Sequence, residues 1–193
     1  ILKARGKDRQ AFRILFDTYK QKVYKTAYMI LKDEQFAEDV VQETFLQVYL
    51  NLPKLSNAMA FEGWMYKIAA NLCFAIIKKN GKVETISIEE ENCNIIELRN
   101  IDYEMPDSIL IQKEVRKRFM ELIGALPIAS RTALTLFYFN DLSVKTISGI
   151  MNCSQGTVKS RLFYGKKLLK DLLQNDASNI IFDDAEVYLY ESR

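Results

Sequence analysis

The chain has 193 residues and no histidine, and its 27 Lys and Arg against 25 Asp and Glu give a net charge of +2. Without imidazole it lacks the side chain that Ser-His, Cys-His and many metal sites use near neutral pH, which excludes much enzyme chemistry. The three cysteines lie far apart and outside any CxxC pattern, so we expect no disulfide framework, no metal site and no cofactor.

Residues 1–80 form a basic block with apolar residues three and four positions apart, which is typical of helices. The block has 13 basic and 8 acidic side chains, a net charge of +5. Asp8 is predicted to cap a first helix, a second helix continues from Tyr24 to Leu31, and a third ends near Leu50. A further helix is predicted from Phe61 to Lys79. Together these helices predict one bundle.

Residues 81–107 interrupt the helical pattern. They carry 2 basic and 8 acidic side chains, and we interpret them as an acidic linker. Residues 108–173 return to helical spacing with 11 basic and 4 acidic side chains, a net charge of +7, and Ser130 is predicted to cap a short helix there. Residues 174–193 are acidic and too apolar for a solubilising end, so we expect this tail to pack on a domain or partner, where it would mask a basic helix.

Two capped helices separated by a tight turn predict a helix-turn-helix in the second basic block. Ser143 caps the first helix, the turn falls at Asn152-Cys153, and a second cap follows. The start of the second helix meets base edges in the major groove, so its outward residues should be polar, small or basic. The alternative is a solvated helix face. The candidate DNA-binding residues are Ser154, Gln155, Thr157, Lys159, Ser160, Arg161, Lys166 and Lys167.

Two sets of motifs resemble the two regions of extracytoplasmic-function sigma factors. Region 4 is resembled by residues 119–173, which include Ala125-Leu-Pro127 and Gln155-Gly-Thr-Val-Lys-Ser-Arg-Leu162. Region 2 is resembled by Ala37-Glu-Asp-Val-Val-Gln-Glu-Thr-Phe45 and by Gly63-Trp-Met-Tyr-Lys-Ile-Ala-Ala-Asn71. The two sets stand in the family's order.

The resemblance implies an all-α protein with two small helical domains. Residues 1–80 would be region 2, which binds core polymerase and recognises and melts the minus-ten element. Residues 108–173 would be region 4, which recognises the minus-thirty-five element. With only a linker between them, we expect polymerase, more than mutual contact, to set their spacing on DNA.

In the family, the first motif docks on the clamp helices of core RNA polymerase. It places Asp39, Gln42 and Glu43 within one turn of a helix, on the side away from its apolar residues. The alternative for these side chains is a solvated helix start, where acids are favoured by the helix dipole.

The family's minus-ten helix and the loop before it read the promoter and capture a flipped base. Aromatic and cationic side chains suit this role, because bases stack on rings and phosphates attract cations. For the tryptophan, a place in the core is an equally good interpretation. The residues implied are Asn57, Phe61, Trp64, Lys67, Asn71, Lys78 and Lys79.

Two departures from the family pattern bear on these sites. Ala75 and Lys78 stand where many members have Asp and Arg, so promoter specificity transfers less directly. Tyr164 and Gly165 replace a usual Arg-Ala, and glycine inside a helix costs about 1 kcal/mol relative to alanine.

The sequence therefore predicts an alternative sigma factor without catalytic activity of its own. Its expected partners are the clamp helices and flap of core RNA polymerase, double- and single-stranded promoter DNA, and an anti-sigma factor. No apolar run approaches the roughly twenty residues that span a bilayer, so we expect a cytoplasmic protein that does not insert into a membrane. The alternatives are a stand-alone helix-turn-helix regulator and a degenerate sigma-like decoy or interaction protein.

Overall fold

Every regular element in the described part of the chain is helical. The computed structural model describes residues 1–6, 8–80 and 119–174. The linker at 81–107 and the tail from 175 onward lie outside the described residues. Within the described ranges, the predicted all-α architecture with two helical domains is confirmed.

The first bundle is built from three long helices that follow a single short turn. Its core is formed by residues with almost no exposed surface, such as Val23, Ile30, Val40, Val48 and Met65. Its helices are α1 (Leu2–Arg5), α2 (Arg9–Leu31), α3 (Glu34–Asn51) and α4 (Phe61–Lys79).

Short polar side chains define where these helices begin. Asp8 accepts hydrogen bonds from the amides of Gln10 and Ala11, as its predicted capping role requires. The prediction of two helices between Asp8 and Leu31 is wrong. With no glycine or proline in that stretch, α2 runs unbroken for 23 residues until Lys32 adopts a left-handed conformation.

The second bundle contains the helix-turn-helix. Its elements are α5, described over residues 119–125, α6 (Ile128–Leu134), a π-helical turn (Thr135–Phe139), α7 (Val144–Met151) and α8 (Gln155–Gln174). Ser130 does not cap α6, contrary to expectation. The helix already begins at Ile128, because Pro127 breaks the chain before it and its carbonyl accepts from the amide of Arg131.

The caps of the helix-turn-helix are confirmed. Ser143 Oγ accepts from the Thr146 amide at 3.1 Å, and Ser154 Oγ accepts from the Thr157 amide at 3.0 Å. Asn152 turns the chain between the two helices with a positive φ of 49°. Asparagine tolerates this left-handed conformation better than most residues do.

The two bundles pack against each other. Helix α4 contacts α7, and α2 contacts α6 and the π-helical turn. The sequence predicts that polymerase, more than mutual contact, sets the spacing of the two blocks on DNA, and nothing in its pattern predicts this direct packing. No helix among the described residues is long and apolar enough to cross a bilayer.

Candidate functional site

The first candidate surface is a polar face on α3. Asp39, Gln42 and Glu43 are all exposed, and their spacing of three and four residues puts them on one side of the helix. The other side is buried through Val40, so this face points away from the first bundle. Glu43 also accepts a hydrogen bond from Gln47 Nε2 at 2.9 Å. Such a face suits a partner with basic or polar groups.

Two leucines extend the same face, which the sequence pattern had not singled out. Leu46 and Leu50 are 52% and 61% exposed. They follow Asp39 by seven and eleven residues, or close to two and three helical turns, which puts them on the same side of the helix. This spacing is the sequence signal that could have identified them. Exposed leucines beside a polar cluster are a composition found in protein interfaces. We call these five residues, from Asp39 to Leu50, the α3 face.

The second candidate surface is the exposed side of α4. Lys67, Asn71, Lys78 and Lys79 are exposed, as a DNA-binding role requires. The other side of the helix is buried in the first bundle, for example at Met65. The arrangement places three cations and one amide along a helix surface that is open to solvent.

The aromatic residues of α4 have different positions. Phe61 has no exposed surface and packs on Tyr19, with ring centroids 5.4 Å apart. In this conformation it supports the start of the helix and cannot reach a base. Trp64 is half-buried beside Phe61, at a centroid distance of 6.2 Å, so its ring is part of the core and part of the surface.

The loop before α4 is shaped by Asn57. Its side chain accepts from the amide of Met59 at 2.9 Å and begins a short 3-10 turn, Ala58–Ala60. Met59 is 92% exposed at this turn. The sequence pattern predicts the loop and Asn57. It does not single out Met59, because one exposed methionine in a loop belongs to no periodic pattern.

The third candidate surface is the start of α8. Ser154 and Thr157 are linked by hydroxyls 2.9 Å apart and by the capping bond, so both help to hold the helix start. Gln155 beside them is exposed. A glutamine amide has both a donor and an acceptor, so the exposed side chain of Gln155 is able to bond two groups on a partner's edge.

The other candidate DNA-binding residues of α8 differ in exposure. Lys167 is exposed, whereas Lys159, Lys166 and Ser160 are half-buried. Arg161 turns back toward the motif's own turn, where its Nη1 donates to Cys153 Sγ at 3.5 Å. One donor of Arg161 is therefore engaged within the motif, while Lys167 is exposed.

Comparison with known proteins places the described domains in a family context. The family model for Sigma-70 region 2 matches residues 15–83, and the model for Sigma-70 region 4 matches residues 116–169. The ECF RNA polymerase sigma factor SigW of Bacillus subtilis is 30% identical over 171 residues, covering 87% of this chain and 91% of the relative. The RNA polymerase sigma-H factor of Pseudomonas aeruginosa is 32% identical over 170 residues, covering 86% and 88%.

Two solved structures share the fold. The sigma factor RpoE of Bartonella quintana, in complex with the anti-sigma factor NepR, aligns with a TM-score of 0.64 at 20% identity over 86% of this chain and 99% of the other. CnrH in complex with the cytosolic domain of CnrY aligns with a TM-score of 0.65 at 18% identity, over 91% and 96%.

Proposed function

The chain belongs to the extracytoplasmic-function sigma factors, and we propose that its three exposed surfaces divide the work of transcription initiation among them. An alternative sigma factor directs core RNA polymerase to promoters. The α3 face would bind polymerase, α4 would engage the minus-ten element, and α8 would engage the minus-thirty-five element. The chain would supply binding and orientation, while polymerase supplies the chemistry.

The polymerase assignment is supported by the composition of the α3 face. Asp39 and Glu43 provide negative charge, Gln42 a neutral amide, and two exposed leucines an apolar surface that a partner helix can bury. Charge pairs at the edge of such an interface steer association, and the apolar centre contributes affinity. A stand-alone regulator would give this face no partner.

The minus-ten assignment is supported by the exposed side of α4. Lys67 and Lys78 can contact phosphates, and Asn71 can hydrogen-bond a base or the backbone. Trp64 is half-buried beside Phe61, and the exposed part of its side chain would stack on an unpaired base. Phe61 itself would act by holding the loop that contains Asn57.

The minus-thirty-five assignment is carried by one observation, a doubly capped helix-turn-helix with an exposed amide at the start of its second helix. In this motif the second helix enters the major groove with its first turn against the bases. Gln155 would then read a base edge, and Lys167 would contact the backbone about three turns later.

An anti-sigma factor is a further proposed partner. One structure that shares this fold, that of RpoE of Bartonella quintana, is a sigma factor in complex with the anti-sigma factor NepR. A protein that covers the α3 face would compete with polymerase directly, because both would need the same leucines and carboxylates.

The proposed function is tested by transcription with purified bacterial core polymerase and a promoter library, with and without the protein. We expect initiation from a distinct promoter set only when the protein is present. Failure to bind core polymerase would overturn the assignment. Tight binding to duplex DNA without polymerase would favour the stand-alone regulator, and binding to core polymerase without initiation would favour the decoy.

A further inference from the structure

Helix α4 begins without a capping side chain. Its N-cap is Ala60, and no side chain caps the first amides of the helix from that position. The first four amides of a helix have no partner within it, so a helix start of this kind frays unless other contacts hold it. The contacts that fix the start of α4 therefore also decide the geometry of the loop before it.

Tyr19 on α2 contacts the start of α4 in two ways. Its ring packs edge-on against the ring of Phe61, with centroids 5.4 Å apart. Its hydroxyl donates to Glu62 Oε1 at 2.7 Å. Phe61 has no exposed surface, whereas Glu62 is exposed. One side chain therefore holds the first turn of α4 both from the core and from the surface.

Tyr19 is itself held firmly. It lies on an unbroken helix of 23 residues, and Leu15 and Val23, one turn before and after it, are buried. Lys22 Nζ lies 5.6 Å from the centroid of its ring, in a cation–π contact. Burial and the hydrogen bond to Glu62 raise the pKa of Tyr19 to about 12, so its hydroxyl remains a donor well above neutral pH. The support for α4 thus comes from a rigid element.

The influence of Tyr19 extends to the loop before α4. Ala60 is both the last residue of the 3-10 turn Ala58–Ala60 and the N-cap of α4. At the other end of the turn, Asn57 Oδ1 accepts from the Met59 amide at 2.9 Å, and the Asn57 carbonyl accepts from the Ala60 amide at 3.2 Å. We call Asn57 and Ala58–Ala60 the Met59 turn. It is fixed at both ends and leaves Met59 92% exposed.

The Met59 turn lies beside a side chain that the proposed function uses. Trp64 follows Ala60 by four residues, and its ring centroid is 6.2 Å from that of Phe61. The rings of Tyr19, Phe61 and Trp64 therefore form one row from α2 to the half-buried Trp64. Methionine has a flexible, polarisable side chain that packs well on aromatic rings, and proteins that unstack DNA insert it between bases. Met59 is thus suited to contact an unpaired base.

Glu62 is not placed to read the promoter itself. It precedes Asn71 by nine residues, or two and a half helical turns, which puts the two side chains on opposite sides of α4. Its carboxylate is held toward α2 by the hydroxyl of Tyr19. Phosphates repel a carboxylate, so this orientation also keeps a negative charge away from the DNA-facing side. Glu62 would act through its bond to Tyr19.

We propose that Tyr19 is a positioning residue for base recognition in the minus-ten element, acting through Phe61 and Glu62 on the Met59 turn. This step rests on the proposed function, in which the start of α4 meets unpaired DNA. A turn that is already held in one conformation binds its base without the entropic cost of becoming ordered. Loss of the Tyr19 hydroxyl leaves its ring on Phe61 but frees the turn, so base selectivity falls while the bundle stays folded.

The test measures which promoter base each side chain senses. The complex of the full chain with core polymerase is titrated with single-stranded oligonucleotides that carry the non-template strand of a minus-ten element found in the transcription experiment. In each oligonucleotide one base is replaced by an abasic site. The ratio of the affinity for the intact strand to that for the abasic strand gives the contribution of each base. Met59→Ala should lower this ratio about fivefold at one position, which identifies the base that the turn contacts.

We expect Tyr19→Phe to lower the ratio at that same position by about fivefold, the usual effect of one lost hydrogen bond on an affinity. The ratios at the other positions should not change. Glu62→Ala should act in the same way, whereas Glu62→Gln keeps an oxygen acceptor for the hydroxyl and should retain most of the selectivity. Combining Tyr19→Phe with Glu62→Ala should cost no more than either change alone, because both remove the same bond.

The matched control is Tyr24→Phe, which removes a hydroxyl from the same helix. Tyr24 stacks on Tyr28, with centroids 6.3 Å apart, and belongs to no contact described for the Met59 turn. We expect this variant to keep the ratios of the unmodified chain at every position. Thermal unfolding of each variant shows whether the bundle is intact.

The outcomes separate this proposal from the one on which it rests. If the unmodified complex does not bind the oligonucleotides, or binds them without preference for any base, the minus-ten role of α4 is wrong. If the unmodified complex shows a base preference, three results would overturn the positioning role alone. These are a Tyr19→Phe profile equal to that of the unmodified chain, an equal loss of affinity at every position, and a Met59→Ala profile without change.

Discussion

Arg131 donates to the carbonyl of Ile30 across 101 positions of sequence, at 2.6 Å. The same guanidinium bonds Gly124, so it connects the ends of two helices that belong to different bundles. Arg131 is buried, and its burial lowers the pKa of the guanidinium because removal of a cation from water costs free energy. The hydrogen bonds to the carbonyls offset that cost.

Replacement of Arg131 should destabilise the whole chain. We expect Arg131→Met to lower the free energy of unfolding by about 2–4 kcal/mol, because two hydrogen bonds from a charged donor are lost and the buried carbonyl of Ile30 loses its partner. Arg131→Lys should retain only part of this unfolding free energy, since an ammonium cannot bridge both acceptors. Urea unfolding measures the effect. A change below about 0.5 kcal/mol in Arg131→Met, the usual range for a surface substitution, would contradict this account.

Gly165 is a packing residue. It is buried in α8, and a Cβ added to it would lie 2.9 Å from Leu134 Cδ1 and 3.0 Å from Ser130 Cβ on α6. The sequence comparison with the family marks this glycine as a loss of helix propensity. The structure gives the reason for it, because α6 and α8 approach too closely for a larger residue.

We therefore expect Gly165→Ala to be net destabilising by about 1 kcal/mol, with overpacking outweighing the gain in helix propensity. The matched control is Gly149→Ala on α7, where the added methyl would meet nothing within 4 Å. That variant should gain up to about 1 kcal/mol. Thermal unfolding of both variants is the measurement, and equal shifts in the same direction would contradict the packing role.

The local features of the fold could be predicted from sequence, and the distant ones could not. The limits of the helix from Phe61 to Lys79 follow from the spacing of its apolar residues and from the Asn80-Gly81 stop signal. The caps at Ser143 and Ser154 follow from residue type and spacing. These signals act over a few residues, which is why a single sequence contains them.

The distant features depend on which surfaces meet. Phe61 is apolar at the start of a helix, and it packs on Tyr19, which lies 42 positions earlier on another helix, so no local spacing reveals that contact. Arg131 lies within the stretch that resembles region 4, but the contact with its acceptor Ile30 exists only because the two bundles pack together. The same reason applies to the candidate sites: the α3 face was predictable in part, while the bonding of Arg161 to Cys153 was not.

Charge reversal on the α3 face should separate binding from folding. We expect Asp39→Arg to weaken binding to core polymerase by at least about tenfold, because an interface charge pair is replaced by repulsion. Its unfolding free energy should change by less than about 0.5 kcal/mol, since the side chain is exposed. Pull-down of core polymerase at several protein concentrations gives the measurement.

The matched control for that prediction is Glu38→Arg. Glu38 is also exposed, and its replacement by arginine changes the net charge by the same amount. Its side chain, however, points about 100° away from that of Asp39 around the helix. We expect it to retain most of the binding. Equal losses in both variants would mean that net charge, and not the α3 face, determines the affinity.

The start and the middle of α8 should affect DNA binding differently. We expect Gln155→Ala to reduce discrimination at one base pair by about 1–3 kcal/mol.

Lys167→Ala should weaken binding to all sequences equally and reduce the slope of log affinity against log salt by about 1. Titration of the minus-thirty-five duplex and a scrambled duplex at several salt concentrations distinguishes the two, with Lys25→Ala in the first bundle as the control. A change of sequence preference in Lys167→Ala would contradict these roles.

Lys32 should make the stability of the docked chain depend on pH. Burial, together with the nearby Arg131, lowers the pKa of its ammonium to about 8, and Glu121 opposes both effects. When the chain unfolds, this pKa returns toward 10.5, so between about pH 8 and 10 the unfolded chain binds more protons than the native one and stability rises with pH. Allowing for its partial exposure, we expect a gain of about 1 kcal/mol in unfolding free energy between pH 7 and 9.5. The Lys32→Met chain has no such group and should lack that gain, while all other titrating groups cancel in the comparison. Parallel pH profiles for the two chains would show that Lys32 is not desolvated at the interface.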